Sequence, residues 1–306
     1  MILKTGAFTP VFFGYLINLV LTLGLQLNPS MAVYLNNRFL ENENALLHVS
    51  DLSMQRGYAI FDFFRTVNGI PLFLPDHLDR FFASAGAMYL PVKQSREELA
   101  SIIIELIKRT PIPEAGIRMM LTGGYSADHF QPAEPNLLIT CNPIRMFDRS
   151  DFEKGFSIIT YEHQRNLPHI KSINYQMGVW LLPELKKQQA DEVLYYNNNI
   201  ITEFPRSNIF IVTPQNKLVT PKRNMLMGVT RKHVLTLAAD ILPAEERDIS
   251  LDELLQSREV MLTSTTKRIV PVLKINNRHI GDGKPGKITT ILYEKLIAAE
   301  AALGVH

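Results

Sequence analysis

Apolar and polar positions alternate with a period near two in short runs, and between those runs the spacing shifts to that of a helix. From Val33 the chain reads as strands. Residues 63–67 and 70–74 flank Asn68-Gly69, a pair that supplies the positive φ angles of a type I′ turn and so predicts a hairpin. Pro75-Asp76 opens a helix with Leu78, Phe81, Phe82 and Ala85 on one face. Ser95 with Glu98 three residues on is a capping box, and Leu99, Ile102, Ile103 and Leu106 follow at helical spacing. A strand over 116–122, a turn at Gly123-Gly124 and a returning strand over 136–141 complete the first half.

Residues 142–151 hold Pro143 and a cluster of charges, and mark a domain boundary. Beyond it strands and helices alternate. A strand covers 156–161, and a helix over 174–190 is interrupted by Pro183. Strands at 193–196 and 209–212 flank an Asn-rich turn. A helix runs over 230–239 with Val234, Leu235 and Ala238 facing in, and Ser250 with Glu253 opens another capped helix. Strands at 260–263 and 270–275 close a core, and an amphipathic helix covers 288–301.

Composition narrows this picture. The 306 residues suffice for two domains with cores of their own. The net charge of +2 without a dense Lys/Arg run excludes a nucleic-acid surface. A single cysteine, Cys141, excludes a disulfide within the chain and points to a reducing, cytoplasmic compartment. His163 and His169 stand six apart without Cys or acidic partners, so no metal site is predicted. Residues 5–30 carry no charge and 10–27 are mostly apolar. That length is at the low end for a membrane span, only Lys4 before it is basic, and no small-residue cleavage site follows. We therefore read 1–30 as an upstream extension, as from an over-called start, with the folded protein beginning at Met31 and dispensing with what precedes it.

The candidate chemistry centres on H-I-K-S-I-N-Y (169–175). Lys171 lies among Ile170, Ser172 and Ile173, a locally apolar and uncharged setting. Partial desolvation lowers a lysine pKa and favours the neutral amine that condenses with a carbonyl. An isolated lysine is more often a surface group with its stem along an apolar face. Here I-T-E-F-P-R-S-N-I-F (201–210), G-V-T-R (228–231) and L-T-S-T-T (262–266) follow in order, and D-H-L-D-R-F (76–81) precedes it.

This ordered set resembles the class IV aminotransferases, the fold-type IV enzymes of pyridoxal 5′-phosphate, over roughly residues 31–283. The resemblance implies a small N-terminal α+β domain (31–145) and a larger C-terminal α/β pseudo-barrel domain (152–306) that binds the cofactor. Lys171 would be the lysine that carries the cofactor and shuttles its proton. Glu203 would face the pyridine nitrogen, and a carboxylate there keeps that nitrogen protonated. Arg80, Val229, Thr230, Ser264 and Thr265 would hold the phosphate, by a planar guanidinium fork, by amides at a helix start and by hydroxyls. Tyr175 would bond the ring oxygen. Arg80 as a solvated helix residue, Ser264-Thr265 as a turn or cap and Tyr175 as a packed core side chain are the plain alternatives.

Two departures from the family pattern bear on the substrate. Its T-R-G arginine is replaced by Gly123 in T-G-G (122–124), and R-G-Y-A-I-F-D (56–62) puts Arg56 where a tyrosine is usual. An α-carboxylate still needs a cation, so Arg56 and Arg118 are the candidates, with Phe61 beside them. Backbone amides around Thr265-Thr266 or Lys267 are the fallback. The resemblance further implies a homodimer in which the loop with Arg56 and Phe61 reaches the neighbour's cofactor. The expected activity is transfer of an amino group between an amino acid and a 2-oxo acid, with a lean to D-amino acids or broad specificity. A branched-chain L-aminotransferase, an aminodeoxychorismate lyase and a non-catalytic scaffold, cofactor-binding or membrane-tethered, are the competing readings.

Overall fold

The structure, a computed structural model, describes residues 31–110 and 112–304, so the extension predicted over 1–30 lies outside the described residues. Two sheets organise them. The first contains β1 (Ala32–Leu35), β2 (Arg38–Glu41), β3 (Ala59–Val67), β4 (Ile70–Pro71), β5 (Ala115–Thr122) and β6 (Leu137–Pro143) in the order β2-β1-β6-β5-β3-β4. Its pairings are antiparallel. Helices α1 (Leu52–Arg56), α2 (Leu74–Ala87) and α3 (Arg96–Arg109) belong to this half.

Asn68 and Gly69 both have positive φ (51° and 77°), as the predicted hairpin requires. Its second strand is shorter than expected. Pro71 has no N–H to continue the ladder, and Pro75 at the helix start favours entry into α2 already at Leu74. Helix α3 carries the capping box, with Ser95 Oγ accepting from the Glu98 amide and Glu98 accepting from the Ser95 amide. Its buried face is Leu99, Ile103, Leu106 and Ile107, so Ile107 replaces the expected Ile102. On α2, Phe82 is half-buried while His77 and Ser84 are buried, an inversion that matters for the site.

The second sheet holds β7 (Phe156–Glu162), β8 (Glu192–Asn197), β9 (Ile200–Ile201), β10 (Asn208–Val212), β11 (Leu218–Thr220), β12 (Ala244–Glu246), β13 (Glu259–Ser264), β14 (Arg268–Ile275) and β15 (Arg278–His279). The order is β12-β11-β10-β13-β14-β7-β8-β9, with β15 beside β14. The pairs β11–β12, β14–β7 and β7–β8 are parallel, and the sheet curls as a half-barrel. Its helices are α4 (Arg149–Lys154), α5 (Gln176–Trp180), α6 (Leu182–Lys187), α7 (Val229–Ala238), α8 (Leu251–Leu255) and α9 (Lys287–Leu303). The helix predicted over 174–190 is two short ones, because Pro183 can only stand in the first turn of the second. Ser250 caps α8, but the Glu253 carboxylate turns to Arg247 and leaves the box half-formed. Among the described residues no helix is long and apolar enough to cross a membrane.

The two halves meet at the Lys171 stretch and again at α9, whose buried Glu300 pairs with Arg65 of β3 and Arg268 of β14.

Candidate active site

Because β4 pairs only with the far end of β3, the nearer part of that strand edge is free. The Lys171 stretch takes it. Phe61 N–H donates to the Lys171 carbonyl (2.9 Å) and Ile173 N–H to the Ala59 carbonyl (3.2 Å), while Lys171 N–H donates to Ser84 Oγ on α2 (3.2 Å). Main-chain bonds thus fix the lysine between the two halves. Its Nζ lies 4.5 Å from the centroid of the Phe61 ring. Burial first, then the Arg80 guanidinium, push its pKa from the ordinary lysine range to about 7.

Arg80 lines the same cavity from α2. Its Nε and Nη2 each donate to Asp62 at 2.8 Å, and His77 Nδ1 lies 2.7 Å from the same carboxylate. Burial alone would raise the Asp62 carboxyl, but Arg80 and then His77 outweigh it and hold it far below the usual carboxylate range. Burial depresses the His77 imidazole, against the pull of Asp62. This group holds the Arg80 guanidinium in place at the cavity. Strand alternation puts Asp62 on the opposite face of β3 from Phe61, so one strand serves both Arg80 and Lys171.

Val229 and Thr230, at the start of α7, line a further wall with Gly228. A Cβ at Gly228 would come within 2.0 Å of Asn208 Oδ1, so any larger residue here would displace the Asn208 side chain. Asn208 in turn donates to the Leu226 carbonyl (2.7 Å) and fixes the loop leading into α7. Ser207 and Thr263, 7% and 1% exposed, line the cavity with hydroxyls that have no hydrogen-bond partner among the described residues. Buried polar groups without partners are costly, and a row of them beside amides at a helix start fits an anion.

Glu203, 4% exposed, lies in the same cavity. It accepts from Arg165 Nε (2.7 Å) and from the Leu226 amide (2.9 Å). Burial raises its pKa, and Arg165 acts against that. Tyr175 also lines the cavity, its ring 5.7 Å from that of Phe61.

The structure therefore gathers Lys171, Arg80, Glu203, Tyr175, Val229, Thr230 and Thr265 around one cavity. Ser264 is not in its lining. Thr263 and Thr265 are, as strand alternation requires, and Ser264 Oγ accepts from the Lys267 amide (3.4 Å). Lys267 is 8% exposed with Nζ 3.4 Å from Glu192, so the cavity does not have it as a free cation. Phe61 is within β3 and touches its own chain's Lys171, not a loop aimed at a neighbour. Arg56 ends α1, exposed and bonded to the Gln55 carbonyl (2.8 Å), outside the cavity. Arg118 is exposed, and its guanidinium carbon lies 4.8 Å from the Phe61 centroid.

Besides Ser207 and Thr263, three residues escaped the sequence reading. Arg165 ties Glu203 to the loop before the lysine through the Pro168 carbonyl (2.6 Å), and no periodicity marks it. Asp62 and His77 were within quoted motifs. The signal was the His77–Arg80 spacing of one helical turn, with an acid between the apolar residues Phe61 and Phe63. A neutral-leaning amine, an anion pocket and a buried carboxylate are the donor set that a phosphorylated carbonyl compound with a basic ring nitrogen requires.

Comparison with known proteins bears on this set. The family model described as amino-transferase class IV matches residues 59–275. The D-alanine aminotransferase of Bacillus licheniformis is 30% identical over 85% of this chain and 93% of its own length. A putative branched-chain-amino-acid aminotransferase of Methanocaldococcus jannaschii is 28% identical over 87% of this chain and 95% of its own. The T.th. branched-chain amino acid aminotransferase, solved with pyridoxamine 5′-phosphate, superposes with a TM-score of 0.83 at 22% identity over 90% of this chain and 95% of that one. The enzyme of Thermoproteus uzoniensis, solved with norvaline, gives 0.81 at 24% identity over 90% of this chain and 96% of that one.

Proposed function

Because this chain belongs to the class IV aminotransferases, we propose that it moves an amino group between an amino acid and a 2-oxo acid with pyridoxal 5′-phosphate in the cavity around Lys171. The observation that carries this is the Lys171 amine, held at a pKa of about 7 beside an anion pocket and a buried carboxylate. The cofactor, when bound, supplies an aldehyde that accepts the amino group and a ring that takes up the electrons released at the substrate carbon. Lys171 would join that aldehyde and, once displaced by substrate, move the proton at the reacting carbon. Arg80, steadied by Asp62, and the amides of Val229 and Thr230 would bind the phosphate. Ser207, Thr263 and Thr265 would complete that pocket. Glu203, steadied by Arg165, would hold the ring nitrogen protonated, and Tyr175 would bond the ring oxygen. Arg118 would take the substrate carboxylate over the ring of Phe61.

The D-alanine aminotransferases among the relatives support a D-amino-acid or broad specificity. A spectrophotometric half-reaction with D-alanine against L-leucine tests it, with consumption of D-alanine as the expected result. Reaction with the L-substrate alone would overturn that preference and favour the branched-chain reading. The pH dependence of the cofactor-free protein follows from Lys171. A depressed lysine pKa leaves the amine protonated below about 7 and neutral above it. Acylation of Lys171, followed by mass spectrometry, should therefore rise through pH 7, well before the other lysines react. A midpoint near 10 would remove the desolvated amine from the argument.

Residues 31–145 and 152–306 remain our division into domains, and the active unit is proposed to be a homodimer. Val49, Met54 and Tyr125 are exposed around α1, close in the chain or across the Asp51–Tyr125 bridge to the element that ends in Arg56. A second copy packed there would bring Arg56 toward a neighbouring site. Light scattering under assay conditions should give a dimer, and a fully active monomer would contradict this.

A further inference from the structure

Arg80 reaches the cavity from α2, and the Val229 and Thr230 amides reach it from the start of α7. The two helices come from different halves of the chain, so their spacing sets the width of the anion pocket. A compact contact joins them within one helical turn of both. Asp76, four residues before Arg80, accepts from His233 Nε2 (2.8 Å) and from the Lys232 ammonium. The imidazole of His233 stacks on Phe73, with centroids 3.8 Å apart and planes at 25°.

Each part of this contact makes sense only with the others. Lys232 lies near the start of α7, where the helix dipole disfavours positive charge, and the Asp76 carboxylate offsets it. Asp76 and His233 are largely shielded, with side chains 19% and 27% exposed, so their hydrogen bond is less screened than a surface pair. Phe73 caps α2 with φ of +53°, a left-handed conformation that is an outlier for a bulky residue. The stack on His233 holds it there and fixes the direction in which α2, with Arg80, leaves the turn.

We propose that Phe73, Asp76, Lys232 and His233 form a latch that sets the width of the anion pocket, which makes Asp76 and His233 positioning residues for the phosphate of the cofactor. The proposal rests on the reading of this cavity as the pyridoxal phosphate site. The test is titration of the cofactor-free protein with pyridoxal 5′-phosphate and, separately, with pyridoxal, which lacks the phosphate. For Asp76→Asn and His233→Leu the dissociation constant of the phosphorylated ligand should rise about tenfold, the loss of one charge-assisted hydrogen bond. That of pyridoxal should not move. His233→Phe, which keeps the stack and loses the hydrogen bond, should fall between the parent and His233→Leu. An equal loss for both ligands would mean general loosening and would overturn the latch, as would no change for either. A parent protein that takes up neither ligand would sink the cofactor reading itself, and the latch with it.

Discussion

Lys171→Ala is expected to lose all measurable transamination while the protein stays folded. Two losses combine. Without the amine there is no group to join the cofactor's aldehyde, and none at that point to move the proton at the substrate carbon. Proton transfer by a positioned side chain alone is worth ~10²–10⁴-fold in rate. The fold should not suffer, because the contacts that fix this stretch are main-chain bonds from Phe61, Ile173 and Lys171 that alanine keeps. The change also removes an amine that the interior disfavours in its charged form. Its folded pKa of about 7 lies below the unfolded value, so the native protein gains stability as pH rises from about 7 toward the ordinary lysine range. That part of the pH dependence of melting should disappear in the alanine variant. Turnover by purified Lys171→Ala above the uncatalysed rate would remove the residue from its role. A variant that fails to fold would show that the stem of the lysine on Phe61 matters more than the main chain.

Much of this site was legible because its parts are local. The helix start at Gly228, the Ser95 cap and the Asn68-Gly69 turn each depend on a few adjacent residues, and side-chain chemistry decides them. Lys171, Glu203 and Arg80 were legible as motifs, yet their neighbours were not. Arg165 meets Glu203 across 38 positions of sequence, and Asp62 meets Arg80 from another element. Such pairs are set by tertiary packing within each half, which no periodicity encodes. Strand parity explains the misassigned hydroxyl, since a shift of one residue along β13 exchanges Ser264 for Thr263 on the cavity side. Arg56 stands outside the cavity of its own chain for a local reason. Its motif position suggested a loop, whereas α1 ends there and Gly57, with φ of 64°, turns the chain into β3.

Arg118 lies outside the lining of the cavity but rests on Phe61, the ring that also meets Lys171, and its removal is the second large effect. The Phe61 ring has the Lys171 amine 4.5 Å and the Arg118 guanidinium carbon 4.8 Å from its centroid, so both groups gather at a single aromatic side chain. A guanidinium resting over a ring is held in orientation while its hydrogen-bond donors stay available. We propose that an amino acid with its nitrogen at Lys171 extends its carboxylate past Phe61 to this cation. A charge-assisted hydrogen bond to a carboxylate is worth on the order of 1.5–3 kcal/mol, or roughly ten- to a hundredfold in affinity. Arg118→Ala should therefore raise the half-saturation for the amino acid by that factor and leave that of an amine without a carboxylate unchanged. Arg80→Ala should do the reverse, releasing the cofactor and treating both substrates alike. Arg56→Ala serves as the third arm. If it, and not Arg118→Ala, separates amino acid from amine, the carboxylate is held across a subunit boundary and Arg118 only covers Phe61. If neither separates them, the carboxylate is met by main-chain amides near Thr265-Thr266, and the cofactor pocket stands without a substrate arginine.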